Sequence, residues 1–407
     1  MDTFPASAPV PASLPVVRLR PKANARAIRR GYPWIYENEL VTDRRTRALS
    51  PGSFALLEDS ERAPLGIVTI NPASKIIGRM IDRDVSVVPD RAWIAARLTR
   101  ALALRERVFD APDYRLVHAE ADGLPGVIID RFGDLAVVQP NAAWAEMMLD
   151  DLVAALAEVT GVVHVLKNAS GRGRALDGLD DVDTVLLGQA PEAPLPIVMN
   201  GATYLADVTG GQKTGLYYDQ RPNHAFAARL AGPGGRVLDM FCHAGGFGLA
   251  ALAAGAGSVL AVDGSARALE LAVGGAEATG VADRFETRQG DAFDVLAALG
   301  DEQARFDLVV CDPPAFAPGK PALEAGLRAY ERVARGAAGL VADGGFLMLC
   351  SCSHAADLSA FSGACLRGIG RAGRRAQLVH TGFAGVDHPL LPQLAETGYL
   401  KALVFRL

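Results

Sequence analysis

The first hydrophobic segments of the chain are short and separated by turn residues, a pattern typical of β-strands. The strands are predicted at 16–19, 54–57 and 64–70. A helical pattern covers 25–36 and is interrupted by Gly31 and Pro33. Residues 16–90 are therefore predicted to form a small β-rich barrel.

The next stretch mixes helical and strand periodicities. Apolar positions recur every three to four residues along 91–109, which predicts a helix with one buried face. Further elements are predicted as strands at 123–130, 135–139 and 162–166, and as a helix at 143–159. Residues 91–190 are therefore predicted to form a small α+β domain.

From residue 195 onward, apolar strands alternate with helical patterns, after a linker marked by Pro191, Pro194 and Pro196. The strands are predicted at 236–241, 258–263, 284–288, 306–312, 345–351 and 399–405. This alternation is typical of a doubly wound, mostly parallel α/β sheet. We expect an α/β domain over 195–407, preceded by the domains at 16–90 and 91–190 and by a loose, Pro-rich tail at 1–15.

Composition places the chain among folded proteins with ample core: 407 residues, 50% hydrophobic and 21% charged. Its five cysteines lack framework spacing, which favours reduced thiols in a cytoplasmic protein. The Cys350-x-Cys352 pair has no second pair, so no metal site is expected. The uncharged run 240–262 contains five glycines and a His and is interpreted as a core segment, so no membrane span is expected.

Positive charge is concentrated near the N-terminus, although the net charge of the whole chain is −5. The stretch 18–47 contains nine basic and three acidic residues. On charge alone, a solvated face is favoured for this stretch. The alternative is a surface that contacts nucleic-acid phosphates through Arg18, Arg20 and Lys22.

Acidic residues follow three successive strands of the α/β domain. A Gly-containing loop after the first strand includes Asp239, Phe241, Ala244 and Gly245. Asp263 ends the second strand, where a carboxylate can accept hydrogen bonds from ribose hydroxyls. Asp291 follows the third strand, where it can accept from an adenine amino group. This series resembles the class I S-adenosylmethionine-dependent methyltransferases, whereas the Gly-x-Gly-x-x-Gly pattern of NAD-binding domains is absent.

The fourth strand leads into Asp312-Pro313-Pro314-Ala315-Phe316. The prolines stiffen this loop, Phe316 can stack on a flat base, and Asp312 can hydrogen-bond to the polar edge of the base. Similar motifs occur in methyltransferases that alkylate exocyclic amines. The loop therefore indicates a base substrate and leaves N-methylation open.

Cys352, just after the fifth strand, indicates a different reaction. A thiolate that adds to C6 of cytosine makes C5 nucleophilic, and C5 can then accept a methyl group. Cys311 is a second candidate nucleophile, but strand alternation points it away from Asp312. The other cysteines are expected in the core. His354 could poise the thiol or remove the C5 proton, or could be a solvated loop residue.

Several motifs along the chain resemble the bacterial 23S ribosomal RNA 5-methylcytosine methyltransferases. They lie at 31–36, 120–126, 210–223, 241–248, 312–316 and 351–353. The resemblance implies a PUA domain, a central α+β domain and a C-terminal Rossmann-like class I methyltransferase domain. It also implies S-adenosylmethionine as cofactor, RNA as partner and Cys352 as nucleophile.

Within the resemblance, the loop 213–221 lines the cofactor or base pocket, which makes Lys213, Gln220 and Arg221 candidate contacts. Two positions differ from the family pattern, with His224 in place of Arg and Ala121 in place of Gly. The implied function is formation of 5-methylcytosine in 23S rRNA.

Three other functions stay open. They are an RNA base N-methyltransferase acting on guanine N2, a non-catalytic RNA-binding assembly factor, and a small-molecule methyltransferase. The target nucleotide and the oligomeric state stay open as well, with a homodimer as one outcome.

Overall fold

The computed structural model describes residues 14–211 and 214–407. These residues fall into two compact units. One contains residues 14–190 together with 386–397, and the other contains the remainder of 191–407.

The first sheet of the first unit has five strands in the order β1-β3-β4-β5-β2. Its elements are β1 Val16–Arg18, α1 Ala25–Arg29, β2 Trp34–Ile35, α2 Arg44–Arg47, β3 Ser53–Glu58, β4 Pro64–Ile70 and β5 Gly78–Asp82. The predicted helix over 25–36 is wrong beyond Arg29, since the chain continues into strand β2. Gly31 adopts φ +113°, outside the helical region, and Pro33 cannot donate the hydrogen bond that a longer helix would need.

The second sheet of this unit has the order β10-β9-β8-β7-β6. Its elements are α3 Arg91–Glu106, β6 Asp113–His118, β7 Val127–Phe132, β8 Leu135–Pro140, α4 Ala143–Met147, α5 Leu149–Thr160, β9 His164–Lys167, α6 Arg172–Leu176 and β10 Thr184–Leu187. The single helix predicted over 143–159 is two helices, which meet at Met148 with non-helical backbone. The α+β character of the stretch follows from the packing of α3 and α5 on this sheet.

Residues 386–397 return to the first unit from far along the chain. The guanidinium of Arg105 forms two hydrogen bonds with the carboxylate of Asp122 and also donates to the carbonyl of Asp387 at 2.9 Å. The carboxylate of Asp387 accepts from the backbone N–H of Arg115 at 3.2 Å. Buried charges need such partners, so this cluster fixes the returning segment.

The second unit is built on a seven-stranded sheet in the order β15-β14-β13-β16-β17-β19-β18. Its elements are β11 Leu195–Met199, β12 Ala202–Ala206, α7 Arg221–Ala231, β13 Arg236–Met240, α8 Gly246–Ala253, β14 Ser258–Asp263, α9 Ala266–Thr279, β15 Phe285–Gln289, α10 Ala292–Asp301, β16 Phe306–Cys311, α11 Leu323–Leu340, β17 Val341–Ser351, α12 Leu358–Arg371, β18 Gln377–Gly382 and β19 Lys401–Arg406. The first five strands of the sheet are parallel, and β19 runs antiparallel to both β17 and β18. The predicted doubly wound α/β fold is thereby confirmed.

A hairpin of β11 and β12 precedes the large sheet and was not predicted. Pro196, interpreted from sequence as part of a linker, lies inside β11 and pairs with Leu205. A two-stranded ladder has only edge strands, where a proline does not remove a needed hydrogen bond.

The order of the strands determines where a ligand can bind. From β13 the chain builds outward through β14 and β15, and it then returns to place β16 on the other side of β13. The connections after the neighbouring strands β13 and β16 therefore run in opposite directions along the sheet. This is a topological switch point, where open α/β sheets bind their ligands.

Candidate active site

A cavity of about 550 Å³ lies in the second unit at the carboxyl ends of the central strands. It is lined by Tyr217, Asp219, Gln220, Phe241, His243, Val262, Asp263, Gly264, Ala268, Gly290, Asp291, Ala292, Asp312, Pro313, Pro314, Ala315, Cys352 and Leu400. Eight of the residues singled out from sequence are therefore brought together: Gln220, Phe241, Asp263, Asp291, Asp312, Pro313, Pro314 and Cys352.

The loop after β13 has an unusual backbone. Phe241, His243 and Gly245 all have positive φ, at +61°, +48° and +80°. Non-glycine residues reach this region at a cost of roughly 1–3 kcal/mol each and cluster at functional sites. Phe241 and His243 thus take conformations that glycine adopts freely, and both line the cavity.

Asp239, in strand β13, holds the start of helix α8, which follows this loop. Its carboxylate is fully buried and accepts a hydrogen bond from the N–H of Gly248 at 2.8 Å. Burial raises the pKa of Asp239 to about 7, the bond from Gly248 opposes that rise, and the charge of Asp263 adds to it. Asp239 does not line the cavity, so it is placed to fix the turn into α8.

Asp263 and Asp291 present carboxylates to the cavity in fixed orientations. Asp263 accepts from the N–H groups of His243 at 3.0 Å and Ser265 at 2.9 Å. Asp291 caps α10 by accepting from the N–H of Phe293 at 2.8 Å. Each carboxylate keeps acceptor capacity beyond these bonds.

Asp312 is held by the side chain of Gln220. The Gln220 amide donates to the carboxylate of Asp312 at 2.9 Å, and its oxygen accepts from the amide of Asn223 at 2.6 Å. Because the Asn223 bond fixes which end of the Gln220 amide faces Asp312, this chain of bonds orients the acid at the cavity wall.

Cys352 lies between two buried serines that are fixed by Tyr330. The hydroxyl of Ser351 donates to the Tyr330 hydroxyl at 2.9 Å, and the hydroxyls of Ser353 and Tyr330 are 2.8 Å apart. Ser353 also accepts from the N–H of Ala317 at 2.9 Å. Cys352 is half-buried and lines the cavity, whereas the other four cysteines are at most 4% exposed. His354 is exposed and is not a lining residue.

Five of the residues singled out for this unit do not line the cavity: Asp239, Ala244, Gly245, Arg221 and Phe316. The Arg221 guanidinium lies over the ring of Tyr218 and contacts the sulfur of Met199. The Phe316 ring packs 5.0 Å from that of Tyr330. Their predicted contacts with cofactor or base stay predictions.

Several lining residues were missed from sequence. Tyr217 and Asp219 lie within the recognised motif 210–223, so a signal was present, but no pattern pointed to Leu400. Asp219 accepts from the Tyr399 hydroxyl at 2.6 Å. Burial raises the pKa of Tyr217 to about 12, and the neighbouring charge of Asp219 adds to the rise.

The basic residues singled out near the N-terminus belong to the first unit. Arg18 pairs with Glu58 at 2.7 Å, Arg20 donates to the carbonyl of Leu40 at 2.8 Å, and Lys22 is exposed. Lys213 lies outside the described residues, as does most of the tail predicted at 1–15.

A second cavity, of about 660 Å³, lies in the first unit. Four arginines are among its lining residues: Arg30, Arg83, Arg97 and Arg100. Its two acidic lining residues, Glu120 and Asp122, are already paired with Arg79 and Arg105. The cavity therefore has an excess of positive charge.

None of the helices in the described residues combines the length and the apolar character needed to cross a membrane. No group of three or more His, Cys, Asp or Glu side chains among the same residues could hold a metal ion.

Comparison with known proteins agrees with this architecture. A PUA-like domain family matches residues 17–83, and the S-adenosylmethionine-dependent methyltransferase family matches residues 152–406. Ribosomal RNA large subunit methyltransferase I of Shewanella denitrificans is 34% identical over 96% of this chain and 98% of its own length. The enzyme of the same name from Alteromonas mediterranea is 34% identical over 93% and 96%.

Solved structures show the same fold. A protein from Streptococcus mutans assigned to the SAM-dependent methyltransferases superimposes with a TM-score of 0.81 at 19% identity, over 97% of this chain and 100% of its own. A second structure, complexed with SAH, gives the same score and identity over 97% and 99%.

The cavity fits the cofactor of that family. Asp263 and Asp291 present carboxylate oxygens that can accept hydrogen bonds, and Val262, Ala268 and Ala292 add apolar surface, which is the combination that a nucleoside cofactor needs. The ribose and adenine contacts of the two acids stay predictions. The chain belongs to the S-adenosylmethionine-dependent methyltransferases, in the family of the ribosomal RNA large subunit methyltransferases I, with S-adenosylmethionine as its cofactor.

Proposed function

We propose that the protein methylates C5 of a cytosine in large-subunit (23S) ribosomal RNA through a covalent bond between Cys352 and C6. The names of its relatives support the substrate class. The observation that carries the chemistry is the place of Cys352, the half-buried member of five cysteines, on the same cavity wall as Asp312.

The residues have defined tasks in this reaction. The Cys352 thiolate adds to C6, and the electron pair of the C5–C6 double bond moves toward C5. The bound cofactor supplies the methyl group that C5 takes up. A base then removes the C5 proton, the bond between sulfur and C6 breaks, and the double bond and the thiolate are restored.

Asp312 has a recognition task in this scheme. A carboxylate accepts a hydrogen bond from the exocyclic amine of cytosine, and the Gln220 bond holds it in place for that contact. Pro313 and Pro314 restrict the loop that follows, so the base meets a preformed wall.

The first unit is proposed to bind RNA. Its PUA-like domain, the exposed Lys22 and the arginine-lined cavity supply positive charge for phosphates. Arg18 and Arg20 are engaged by Glu58 and Leu40, and the cavity residues Arg97 and Arg83 are engaged by Asp82 and the carbonyl of Ile28. The exposed Arg30 and Arg100 of the cavity are therefore the stronger candidates. We also propose that the chain divides into domains at 16–90, 91–190 and 195–407 and that the protein acts in the cytoplasm.

Replacement of the thiol tests the function directly. Cys352→Ala is expected to lower methyl transfer from labelled S-adenosylmethionine to 23S rRNA roughly 1000-fold or more, the scale of losing a nucleophile. Cys365→Ala, at a buried cysteine on α12, is the matched control and should stay active. Nucleoside analysis of the wild-type product should give 5-methylcytidine.

Persistence of methylation in Cys352→Ala near the wild-type rate would contradict the covalent mechanism. An N-methylated guanine as product would then favour the amine chemistry for which the Asp312–Phe316 motif is also suited.

A further inference from the structure

Lys401 is a buried lysine beside the Cys352 turn to which the methyl-transfer scheme gives no task. Only 4% of it is exposed, and it pairs with Ser351 in the antiparallel register of β17 and β19. Its ammonium donates to the carbonyls of Ser353 and Ala356, both at 2.8 Å. One side chain thus ties the segment that follows Cys352 to the neighbouring strand.

The charges around Cys352 make this lysine distinctive. The titratable groups that face the thiol or its turn are Tyr217, Asp312, Tyr330, Cys350, His354, Asp357 and Lys401. Among these described groups, Lys401 is the one lysine, and its positive charge favours a thiolate at Cys352. The carboxylates of Asp312 and Asp357 disfavour that thiolate. Burial lowers the pKa of Lys401, while the charges of Cys352 and Asp357 raise it.

We propose that Lys401 is a positioning residue for Cys352, whose ammonium fixes the turn through the Ser353 and Ala356 carbonyls and favours the thiolate form of the nucleophile. A nearby cation stabilises a thiolate, and the effect grows where water is excluded. The inference rests on the proposed role of Cys352.

Alkylation of the thiol measures this effect without RNA or cofactor. In the reaction with iodoacetamide the thiolate displaces iodide and forms a thioether, so the rate follows the thiolate fraction as pH rises. Because the other four cysteines are buried, the full-length folded protein should react at Cys352, and Cys352→Ala gives the background rate.

Two neutral variants and two controls separate charge from packing. In Lys401→Met and Lys401→Gln we expect the midpoint of the alkylation profile to rise by about one pH unit, the scale of losing a nearby charge. Lys401→Arg should stay near the wild-type midpoint. Lys320→Met removes an exposed lysine of the same unit and should leave the midpoint unchanged.

An unchanged midpoint in either neutral variant, with wild-type cofactor binding by calorimetry to prove the fold, would overturn the inference. If neither variant folds, the wild-type profile decides. A midpoint clearly below about 8.5, the ordinary value for cysteine, supports the inference, and a midpoint at or above it overturns the inference.

The two proposals fail separately. Active Cys352→Ala protein would contradict the nucleophile, whatever the alkylation profile shows. An unshifted profile in Lys401→Gln would contradict the role of the lysine, even where Cys352→Ala is inactive.

Discussion

The loops after β16 and β17 lie on adjacent parallel strands and both contribute to the same cavity wall, but they are held in different ways. The loop 312–316 is stiffened by two prolines, and its acid is oriented by one amide, that of Gln220. The turn 351–353 has no proline. Three hydroxyl groups and the ammonium of Lys401 fix it instead.

The difference matches the two tasks proposed for these loops. A carboxylate that accepts a hydrogen bond from a base needs orientation above all. A thiol needs orientation and also a cation that favours its thiolate form. The first loop is therefore built by the backbone, and the second by buried polar side chains whose partners all have to be present.

Among the substitutions that distinguish the two loops, removal of the Asp312 carboxylate should have the largest effect on RNA methylation. Asp312→Ala is expected to lower kcat/KM for RNA methylation roughly 10- to 100-fold, since a hydrogen bond to a charged group contributes about 1.5–3 kcal/mol. The alkylation midpoint of Cys352 should shift little and downward, because a neighbouring negative charge is lost. Steady-state kinetics and the iodoacetamide profile measure the two effects.

The matched control is Asp301→Ala, an exposed acid at the end of α10. It should leave kcat/KM unchanged. A wild-type kcat/KM in Asp312→Ala would contradict the proposal that the loop 312–316 recognises the base.

Loosening the second loop should have a smaller effect on catalysis. Tyr330→Phe removes the hydroxyl between Ser351 and Ser353, which should lower the free energy of unfolding by about 1–3 kcal/mol and slow methylation only several-fold. The pH midpoint for alkylation of Cys352 should stay unchanged, because the charge of Lys401 remains. Thermal denaturation and single-turnover rates test this.

Tyr114→Phe is the corresponding control, since Tyr114 is equally buried but lies in the first unit. It should not change the rate of methylation. If Tyr330→Phe abolished methylation while the protein stayed folded, Tyr330 would have a direct chemical role beyond holding Ser351 and Ser353.

The sequence was most informative where local signals are strong. Asp263, Asp312 and Cys352 were each singled out because an apolar strand ends just before or at them, and strand ends are where α/β sheets bind ligands. All three line the cavity. The β-strand at Pro64–Ile70 and that at Ser258–Asp263 were also predicted at their observed bounds.

What escaped prediction depends on contacts between distant parts of the chain. Lys401 reaches Ser353 across 48 residues, and the return of 386–397 to the first unit depends on Asp387 meeting Arg105. No periodicity encodes such pairs. The contact of the Phe316 ring with Tyr330 is another such pair, and the predicted stacking of Phe316 on a base stays a prediction.

Trapping the intermediate tests the covalent bond between Cys352 and C6 most sharply. In RNA with 5-fluorocytidine at the target, C5 has no proton to lose, so the bond between the Cys352 sulfur and C6 should persist. We expect a protein–RNA species that is stable in denaturing gels, mapped to Cys352 by mass spectrometry and absent in Cys352→Ala. Efficient methylation of unsubstituted RNA with no trapped species on the fluorinated RNA would contradict the covalent mechanism.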